Sequence, residues 1–148
     1  MEERLLESLK LLDTNIIVYA VGRPHAYKHS CGQLLQEVVR GDGGLNADTE
    51  LFQEILYLYS ARGERPRALS TCADLLVMFP DPLPIGREEI LLAHQLLNDY
   101  PDLVPRDAIH AAVVLANHLE GIVTTDKVFD TITNITRFDP LALYPEDD

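Results

Sequence analysis

Two aspartates directly follow apolar segments that have the character of buried strands. Asp13 follows residues 9–12, and Asp126 follows residues 121–125. In open α/β sheets, ligands bind beyond the carboxyl ends of the parallel strands, so carboxylates placed there meet at one edge. A buried carboxylate without a partner is costly. The two positions therefore indicate a shared site, although Asp13 taken alone also suits the N-cap of the helix that follows it.

Two further acids lie on predicted helices. Glu54 lies beside the apolar stripe of the helix after the second strand, and Glu50 lies one turn earlier on the same face. Asp107 lies in the first turn of a helix opened by Pro105, where the helix dipole favours negative charge. Taken singly, Glu54 is also typical of a solvated helix face, and Asp107 of ordinary N-terminal helix chemistry.

Four carboxylates from four chain segments would suit a hard divalent cation. Mg²⁺ takes oxygen ligands in near-octahedral geometry and keeps several waters, so a sparse carboxylate site is sufficient for it. Such a cation activates water and stabilises the charge that develops on phosphate during in-line displacement. From spacing alone, the convergence of Asp13, Glu54, Asp107 and Asp126 is a hypothesis.

Alternating strands and helices must position these acids. Strands are predicted at residues 9–12, 44–47, 121–125 and 135–138. Helices are predicted after Asp13, from Pro24 to about 41, from Asp48 or Thr49 to about 62, from Pro66 to near 79, over 87–100, and from Pro105. This alternation implies a parallel sheet covered on both faces. We predict a three-layer α/β/α fold, built as one domain over residues 1–148 with its core at about 9–140.

The composition is that of a globular protein with strong negative charge. The 148 residues carry 24 Asp and Glu against 12 Lys and Arg, a formal net charge of -12. That charge opposes nucleic-acid binding unless a bound cation reverses the local sign. No apolar run is long enough to span a bilayer, and the acidic start lacks the features of a signal peptide. With Cys31 and Cys72 outside any metal spacing, we expect a cytoplasmic protein with free thiols.

Three motifs in order resemble those of PIN-domain nucleases. They read LLDTNII at residues 11–17, RDAIHAA at 106–112 and TTDKVFD at 124–130, and FDP at 138–140 resembles the closing segment of the family. The match covers residues 11–140, nearly the whole chain. Any single motif is weakly specific, whereas the ordered set is fairly specific.

The resemblance implies a set of site residues and an activity. It assigns Asp13, Glu54, Asp107 and Asp126 to metal binding, with Asn15 and Thr125 supporting them and with Glu50 and Asp130 as auxiliary acids. It also implies hydrolysis of RNA with Mg²⁺ or Mn²⁺. Small stand-alone PIN domains are often VapC-type toxins, so it further implies a VapB-type antitoxin partner and a homodimer.

Two other groups of residues leave alternatives open. Arg62, Arg65 and Arg67 either bind RNA phosphates or belong to a solvated loop between helices. His110 falls three residues after Asp107 on the same helix face. It either contacts that acid or substrate, or it is a partly buried structural histidine.

The main alternative function is a PIN fold that binds RNA or protein without cleaving, and the presence of all four acids argues against it. A phosphoacceptor receiver domain also places an aspartate after a parallel strand, but it needs an acidic pair near the first strand, where only Asp13 stands. A phosphatase of the DxD type needs a second aspartate at the position of Asn15.

Overall fold

The centre of the molecule is a sheet of four short parallel strands. The computed structural model describes residues 8–41 and 43–146, so the acidic start at residues 1–7 lies outside the described residues. The strands are β1 (Lys10–Leu12), β2 (Leu45–Asn46), β3 (Gly121–Val123) and β4 (Arg137–Phe138). Their order across the sheet is β2-β1-β3-β4, and every pairing is parallel. The ends of β1 and β3, which precede Asp13 and Asp126, are therefore neighbours.

Helices cover both faces of this sheet. In chain order they are α1 (Thr14–Val21), α2 (Lys28–Arg40), α3 (Thr49–Ala61), α4 (Arg65–Met78), α5 (Arg87–Asp99), α6 (Pro105–Ala116) and α7 (Pro140–Leu143). A 3-10 helix, Lys127–Thr131, follows β3. No helix within the described residues has both the length and the apolar character that crossing a membrane requires.

The two cores follow from the alternation of side chains along each strand. Leu11 of β1 and Ile122 of β3 belong to a core with apolar residues of α5 and α6. The next residues, Leu12 and Val123, belong to the core on the other side, with residues of α1 to α4. Successive strand residues point to opposite faces of the sheet. Two adjacent residues of β1, and two of β3, therefore contribute one side chain to each core. The predicted three-layer arrangement is present.

Gly121 allows β3 to lie close to the segment that leads into β4. A Cβ atom at this position would lie 2.2 Å from the carbonyl oxygen of Thr136 and 2.7 Å from the ring of Phe138. Since one contact is with backbone, no side-chain movement could relieve it. Glycine at the start of β3 therefore permits the close pairing of β3 with β4.

Several predicted boundaries differ from the structure. The helix expected to open at Pro24 begins at Lys28 instead, because residues 22–27 form a loop in which the Lys28 ammonium donates to the carbonyl of Gly22 at 2.6 Å. The strand expected over 121–125 ends at Val123, since the following residues turn into the 3-10 helix. Helix α7 was not predicted; Asp139 caps it by accepting from the amide of Leu141 at 2.9 Å.

Candidate active site

Asp13 leaves the end of β1 as a buried carboxylate with one hydrogen bond to each oxygen. Its Oδ1 accepts from the amide of Thr14 at 2.7 Å, and its Oδ2 accepts from the hydroxyl of Thr124 at 2.7 Å. Burial raises the pKa of Asp13, and the charge of His110 and the bond from Thr124 only partly counter it. Asp13 is therefore both the cap of α1 and a strand-end acid, so the two readings of its sequence position were not exclusive.

The hydroxyl of Thr124 connects the ends of the two central strands. Besides donating to Asp13, it accepts from the side-chain amide of Asn15 at 3.2 Å and from the backbone amide of Asp126 at 3.0 Å. The same Asn15 amide donates to the hydroxyl of Thr125 at 3.1 Å. The three bonds of the Thr124 hydroxyl use its one donor and both of its acceptor positions. They fix Asp13 relative to the segment that carries Asp126.

His110 lies between two carboxylates in the interior. Its Nδ1 is 2.6 Å from Oδ2 of Asp48, and its Nε2 is 2.7 Å from Oε1 of Glu54. Burial by itself lowers the pKa of His110, but the charge and hydrogen bond of Asp48, the hydrogen bond of Glu54 and the charge of Asp13 raise it well above the ordinary value. With both ring nitrogens facing carboxylates, the ring is an imidazolium that donates on both sides.

The position of Asp48 is set by its backbone as well as by His110. Its Oδ1 accepts from the amide of Leu51 at 3.0 Å and so caps α3, while its backbone forms an isolated parallel bridge with Leu83. The carboxylate is completely buried. Asp48 therefore caps α3 and also pairs with His110 of α6. These two contacts hold the start of α3 against α6.

Asp107 and Asp126 complete the acidic group. Asp107 lies in the first turn of α6, and burial together with the negative charges of Asp13 and Asp126 raises its pKa to about 6. Asp126 is exposed and caps the 3-10 helix by accepting from the amide of Val128 at 3.0 Å. The carboxylates repel one another, which is the electrostatic condition that a bound cation relieves.

The four predicted acids line one open cleft of about 360 Å³. Its lining comprises Asp13, Thr14, Asn15, Val18, Tyr19, Glu54, Tyr57, Leu58, Arg62, Arg106, Asp107 and Asp126. The expectation that four acids from separate segments meet at one end of the sheet is thus met in the geometry. Their individual catalytic roles stay predictions.

The cleft offers the oxygen donors that Mg²⁺ and Mn²⁺ take. Oδ1 of Asn15 is buried and has no hydrogen-bond partner in the described parts of the chain. Over residues 8–41 and 43–146, no three acidic, histidine or cysteine side chains form a ready-made metal cage. Asp13 and Glu54 are held by Thr124 and His110, respectively. This arrangement fits a cation that keeps several waters and takes only a few protein ligands.

Other predicted residues lie at or beyond the margin of the cleft. Glu50 is half-buried, and burial followed by the charge of Glu54 raises its pKa, yet it does not line the cleft. Asp130 is exposed and accepts from Nε of Arg137 at 2.9 Å, outside the cleft. Arg62 lines the cleft, whereas neither Arg65 nor Arg67 does.

Sequence reasoning missed three residues of this site and misplaced one. The sequence predicts Asp48 only as a cap, but it is the second residue after β2, so the strand-end argument used for Asp13 also applies to it. Thr124, rather than Thr125, makes the central hydrogen bonds. Arg106 lines the cleft beside Asp107 and was not singled out.

The misplaced residue is His110. It is completely buried rather than partly buried, and its ring contacts Asp48 and Glu54 rather than the acid three residues earlier on its own helix. Helical spacing placed Asp107 and His110 on one face, but Asp107 turns to the cleft while His110 points into the contact between α6 and α3.

Removing the charge of Asp107 should stabilise the metal-free protein at neutral pH. Because its folded pKa is raised from 3.8 to about 6, the stabilising contribution of the protonated carboxyl is complete below pH 3.8 and is lost as the pH rises through 6. We expect Asp107→Asn to raise the free energy of unfolding by about 1–2 kcal/mol at pH 7.5, after allowance for solvent screening. Urea unfolding in EDTA at pH 7.5 and pH 4 measures the difference, which should vanish at pH 4.

A matched control is Asp74→Asn on the exposed surface of α4. It should leave the stability unchanged at both pH values. An Asp107→Asn variant that is no more stable than the wild type at pH 7.5 would show that the like charges are not crowded in solution.

Comparison of the sequence with known proteins finds a family and named relatives. The family model of the PIN domain matches residues 10–135. Ribonuclease VapC13 of Mycobacterium tuberculosis (strain ATCC 25618 / H37Rv) is 34% identical over 128 residues, which cover 86% of this chain and 97% of that protein. Ribonuclease VapC23 of the same strain is 28% identical over 115 residues, which cover 78% and 90%.

Two solved structures, from Neisseria gonorrhoeae and Rickettsia felis, have the same architecture. The crystal structure of FitAcB from Neisseria gonorrhoeae has a TM-score of 0.68 at 18% identity, covering 89% of this chain and 98% of that chain. VapBC2 from Rickettsia felis, bound to a DNA fragment from its promoter, has a TM-score of 0.69 at 18% identity, covering 88% and 98%. At this identity the likeness concerns the fold, and it confirms the predicted α/β class.

Proposed function

Because the chain belongs to the PIN domain family, we propose that it is a metal-dependent endoribonuclease and the toxin of a VapBC-type pair. The observation that carries the proposal is the group of Asp13, Glu54, Asp107 and Asp126 around one cleft at the ends of β1 and β3. Two named ribonucleases that match over most of their length support the reaction class. We treat the whole chain as a single nuclease domain that acts in the cytoplasm.

The residues proposed to hold Mg²⁺ or Mn²⁺ are Asp13, Asp107 and Asp126, with Glu54 as the fourth acid. A bound divalent cation supplies an activated water and neutralises charge on the phosphate under attack. The role of the other side chains is to orient the carboxylates. Thr124 orients the carboxylate of Asp13, and the imidazolium of His110 orients that of Glu54.

Two arginines of the cleft are proposed to position the substrate. Arg62 and Arg106 both line the cleft, and neither makes an ion pair within the described residues. A guanidinium matches the geometry of a phosphate and carries its charge at every physiological pH. These two side chains would therefore bind RNA phosphates beside the acidic group, where a chain of net charge -12 otherwise repels them.

The activity test is cleavage of a mixture of structured and unstructured RNAs by the purified chain. We expect cleavage with Mg²⁺ or Mn²⁺ and none in EDTA, because the carboxylates alone cannot stabilise charge on phosphate. A partner that blocks the cleft must first be removed by purification under denaturing conditions and refolding. Asp13→Asn, prepared identically, controls for contaminating nucleases.

Cleavage that persists in EDTA would contradict a metal-dependent mechanism. No cleavage of any RNA by refolded protein with either metal would favour the alternative function, a PIN fold that binds RNA or protein without cutting. A binding measurement with labelled RNA tests the second outcome, because a non-catalytic RNA-binding module would still bind RNA.

We also propose a small antitoxin of the VapB type as the protein partner. Structural neighbours include a toxin-antitoxin complex from Klebsiella pneumoniae, with a TM-score of 0.59 at 19% identity, covering 86% of this chain and 95% of that chain. The informative test is to co-express the product of the neighbouring short reading frame and to measure whether it co-purifies and stops cleavage. A neighbouring product that does neither would remove this part of the proposal.

We predict that the free protein is a homodimer. Helix α4 exposes three large apolar side chains, with Leu69 and Leu76 each 56% exposed and Val77 81% exposed. Burying them against a second copy removes apolar surface from water, and a biological contact of this kind buries more than about 1,000 Å² in total. Light scattering at micromolar concentration should therefore give twice the 16.6 kDa chain mass.

The position of the contact can be tested with two matched substitutions. Leu76→Glu on α4 should give a monomer, whereas Leu91→Glu, at 55% exposure on α5, should stay dimeric. A wild-type protein that is monomeric at micromolar concentration would contradict the prediction.

A further inference from the structure

A second cavity of about 550 Å³ adjoins the acidic cleft. Val18, Tyr19 and Arg62 line both, so the two form one continuous depression. The walls of the second cavity come from the end of α1, the loop of residues 22–25, and the turn between α3 and α4. A ligand that extends beyond the acids on this side must enter this cavity.

The second cavity is positively charged in a strongly acidic protein. Arg23, Arg62 and Arg67 line it, with Glu64 as the single acid in its lining. Arg67 is held in place, because its guanidinium lies 3.6 Å from Glu64 and 4.5 Å from the ring centre of Tyr59. Arg23 and Arg62 are exposed and form no ion pair with any described residue. Two arginine charges are thus available to an anion there.

Aromatic rings stand at the junction between the cavity and the cleft. The ring of Tyr19 lies 4.6 Å from that of His25 and 5.2 Å from that of Tyr27, measured between centroids. Tyr19 and His25 both line the cavity. Such rings form a surface on which a base can stack, and stacking accepts any base because every base has a π-face.

Tyr59 forms the inner wall of the cavity. Its side chain is completely buried, and its ring centre lies 4.5 Å from the guanidinium carbon of Arg67. The ring therefore helps to hold the charge of Arg67 at the cavity wall.

We propose that this cavity, here called the nucleotide pocket, binds an unpaired nucleotide of single-stranded RNA next to the phosphate that is cut. The proposal rests on the ribonuclease function above and adds a binding site for one nucleotide beside the acidic cleft. Arginine charges for phosphate and an aromatic surface for a base together match a nucleotide. A duplex does not match, because its bases are paired and cannot stack on Tyr19. An acidic peptide would use the arginines but not the rings.

The test measures RNA binding rather than cleavage. Full-length protein carrying Asp13→Asn, in EDTA, is titrated into a fluorescein-labelled unstructured RNA of eight nucleotides and into its duplex, with fluorescence anisotropy as the readout. We expect the single strand to bind about tenfold more tightly than the duplex, as one stacked base provides. In this background, Arg23→Gln and Arg62→Gln should each weaken binding and reduce the slope of log K against log salt by about 0.7.

Two matched controls accompany these variants. Arg65→Gln removes the same charge from the same turn, at an exposed side chain that does not line the pocket, and should change neither the affinity nor the slope. Tyr19→Phe keeps the ring and should bind normally, whereas Tyr19→Leu should lose about tenfold in affinity. Melting temperatures identify any variant that fails to fold, and the arginine variants test the pocket independently of Tyr19.

Equal affinities for the Arg23, Arg62 and Arg65 variants, or equal binding of single strand and duplex, would overturn the proposal. So would unchanged RNA binding with weakened binding of a labelled hexaglutamate peptide, which would assign the pocket to an acidic peptide. Cleavage by the wild-type protein, measured alongside, distinguishes failure of the pocket proposal from failure of the proposed nuclease function. Cleavage with no effect of the pocket variants refutes the pocket alone, and RNA binding through the pocket without cleavage refutes the nuclease.

Discussion

Asp13→Asn should reduce the rate of RNA cleavage by about a hundredfold or more while leaving the protein folded. The substitution keeps the size of the side chain and its bond from the amide of Thr14, but it removes the negative charge nearest the junction of β1 and β3. Burial raises the pKa of Asp13, so losing the charge relieves a cost that offsets the weakened bond with Thr124. We therefore expect the free energy of unfolding to change by less than about 1 kcal/mol.

The rate is measured in Mn²⁺ on a labelled RNA, with Mn²⁺ affinity and melting temperature measured on the same samples. The same comparison extends to Asp107→Asn, Asp126→Asn and Glu54→Gln, which should also lose activity. Asp130→Asn is the matched control, because its carboxylate pairs with Arg137 outside the cleft, and it should stay within about twofold of wild type. Near-native cleavage and metal affinity in Asp13→Asn would mean that Asp13 is only the cap of α1.

His110→Leu should lower the free energy of unfolding by about 3–5 kcal/mol. Leucine fills similar space, so the loss does not come from a cavity. It comes from Asp48 and Glu54, whose carboxylates lie 2.6 and 2.7 Å from the imidazolium and lose their shared counter-charge. Asp48 is completely buried and cannot recover that charge from water. Urea unfolding at pH 7 measures the effect.

A double variant separates charge from packing. Asp48→Asn retains a good cap for α3 and removes the buried charge, so combined with His110→Leu it should recover about 1 kcal/mol or more of the loss. His94→Leu on the exposed surface of α5 is the matched control and should cost less than about 0.5 kcal/mol. If the double variant were as unstable as the sum of both single ones, the ion-pair account of His110 would be wrong.

The sequence was sufficient to place the strand-end acids. Asp13 and Asp126 each follow a strand, and parallel strands end at the same edge, so their proximity needed only the correct strand assignment. The cap of α3 at Asp48 and the start of α6 at Pro105 were also predictable, because capping and N1 proline are local chemistry. Such local signals predict the helices correctly, with small differences at the helix ends.

The bonds that hold the site together depend on distant parts of the chain. His110 meets Asp48 across 62 residues and Glu54 across 56, and no periodicity within a helix records such a pairing. Arg62, Arg65 and Arg67 lie close together in the sequence, which does not distinguish their roles. In the structure, the turn between α3 and α4 brings only Arg62 of the three to the cleft, and Arg65 lines neither cavity. Which side of a helix faces which neighbour is decided by packing, and one sequence does not give it.

The junction of β1 with β3 has a consequence for the order in which activity appears during synthesis. Thr124 bonds to Asp13 across 111 residues, and β1 has no central partner until Gly121–Val123 has been made. Contacts this distant in sequence form slowly and late, because a long loop must close first. A nascent chain on the ribosome therefore lacks an assembled cleft until residues 121–126 have been made, so an activity that depends on this cleft begins only near the end of synthesis.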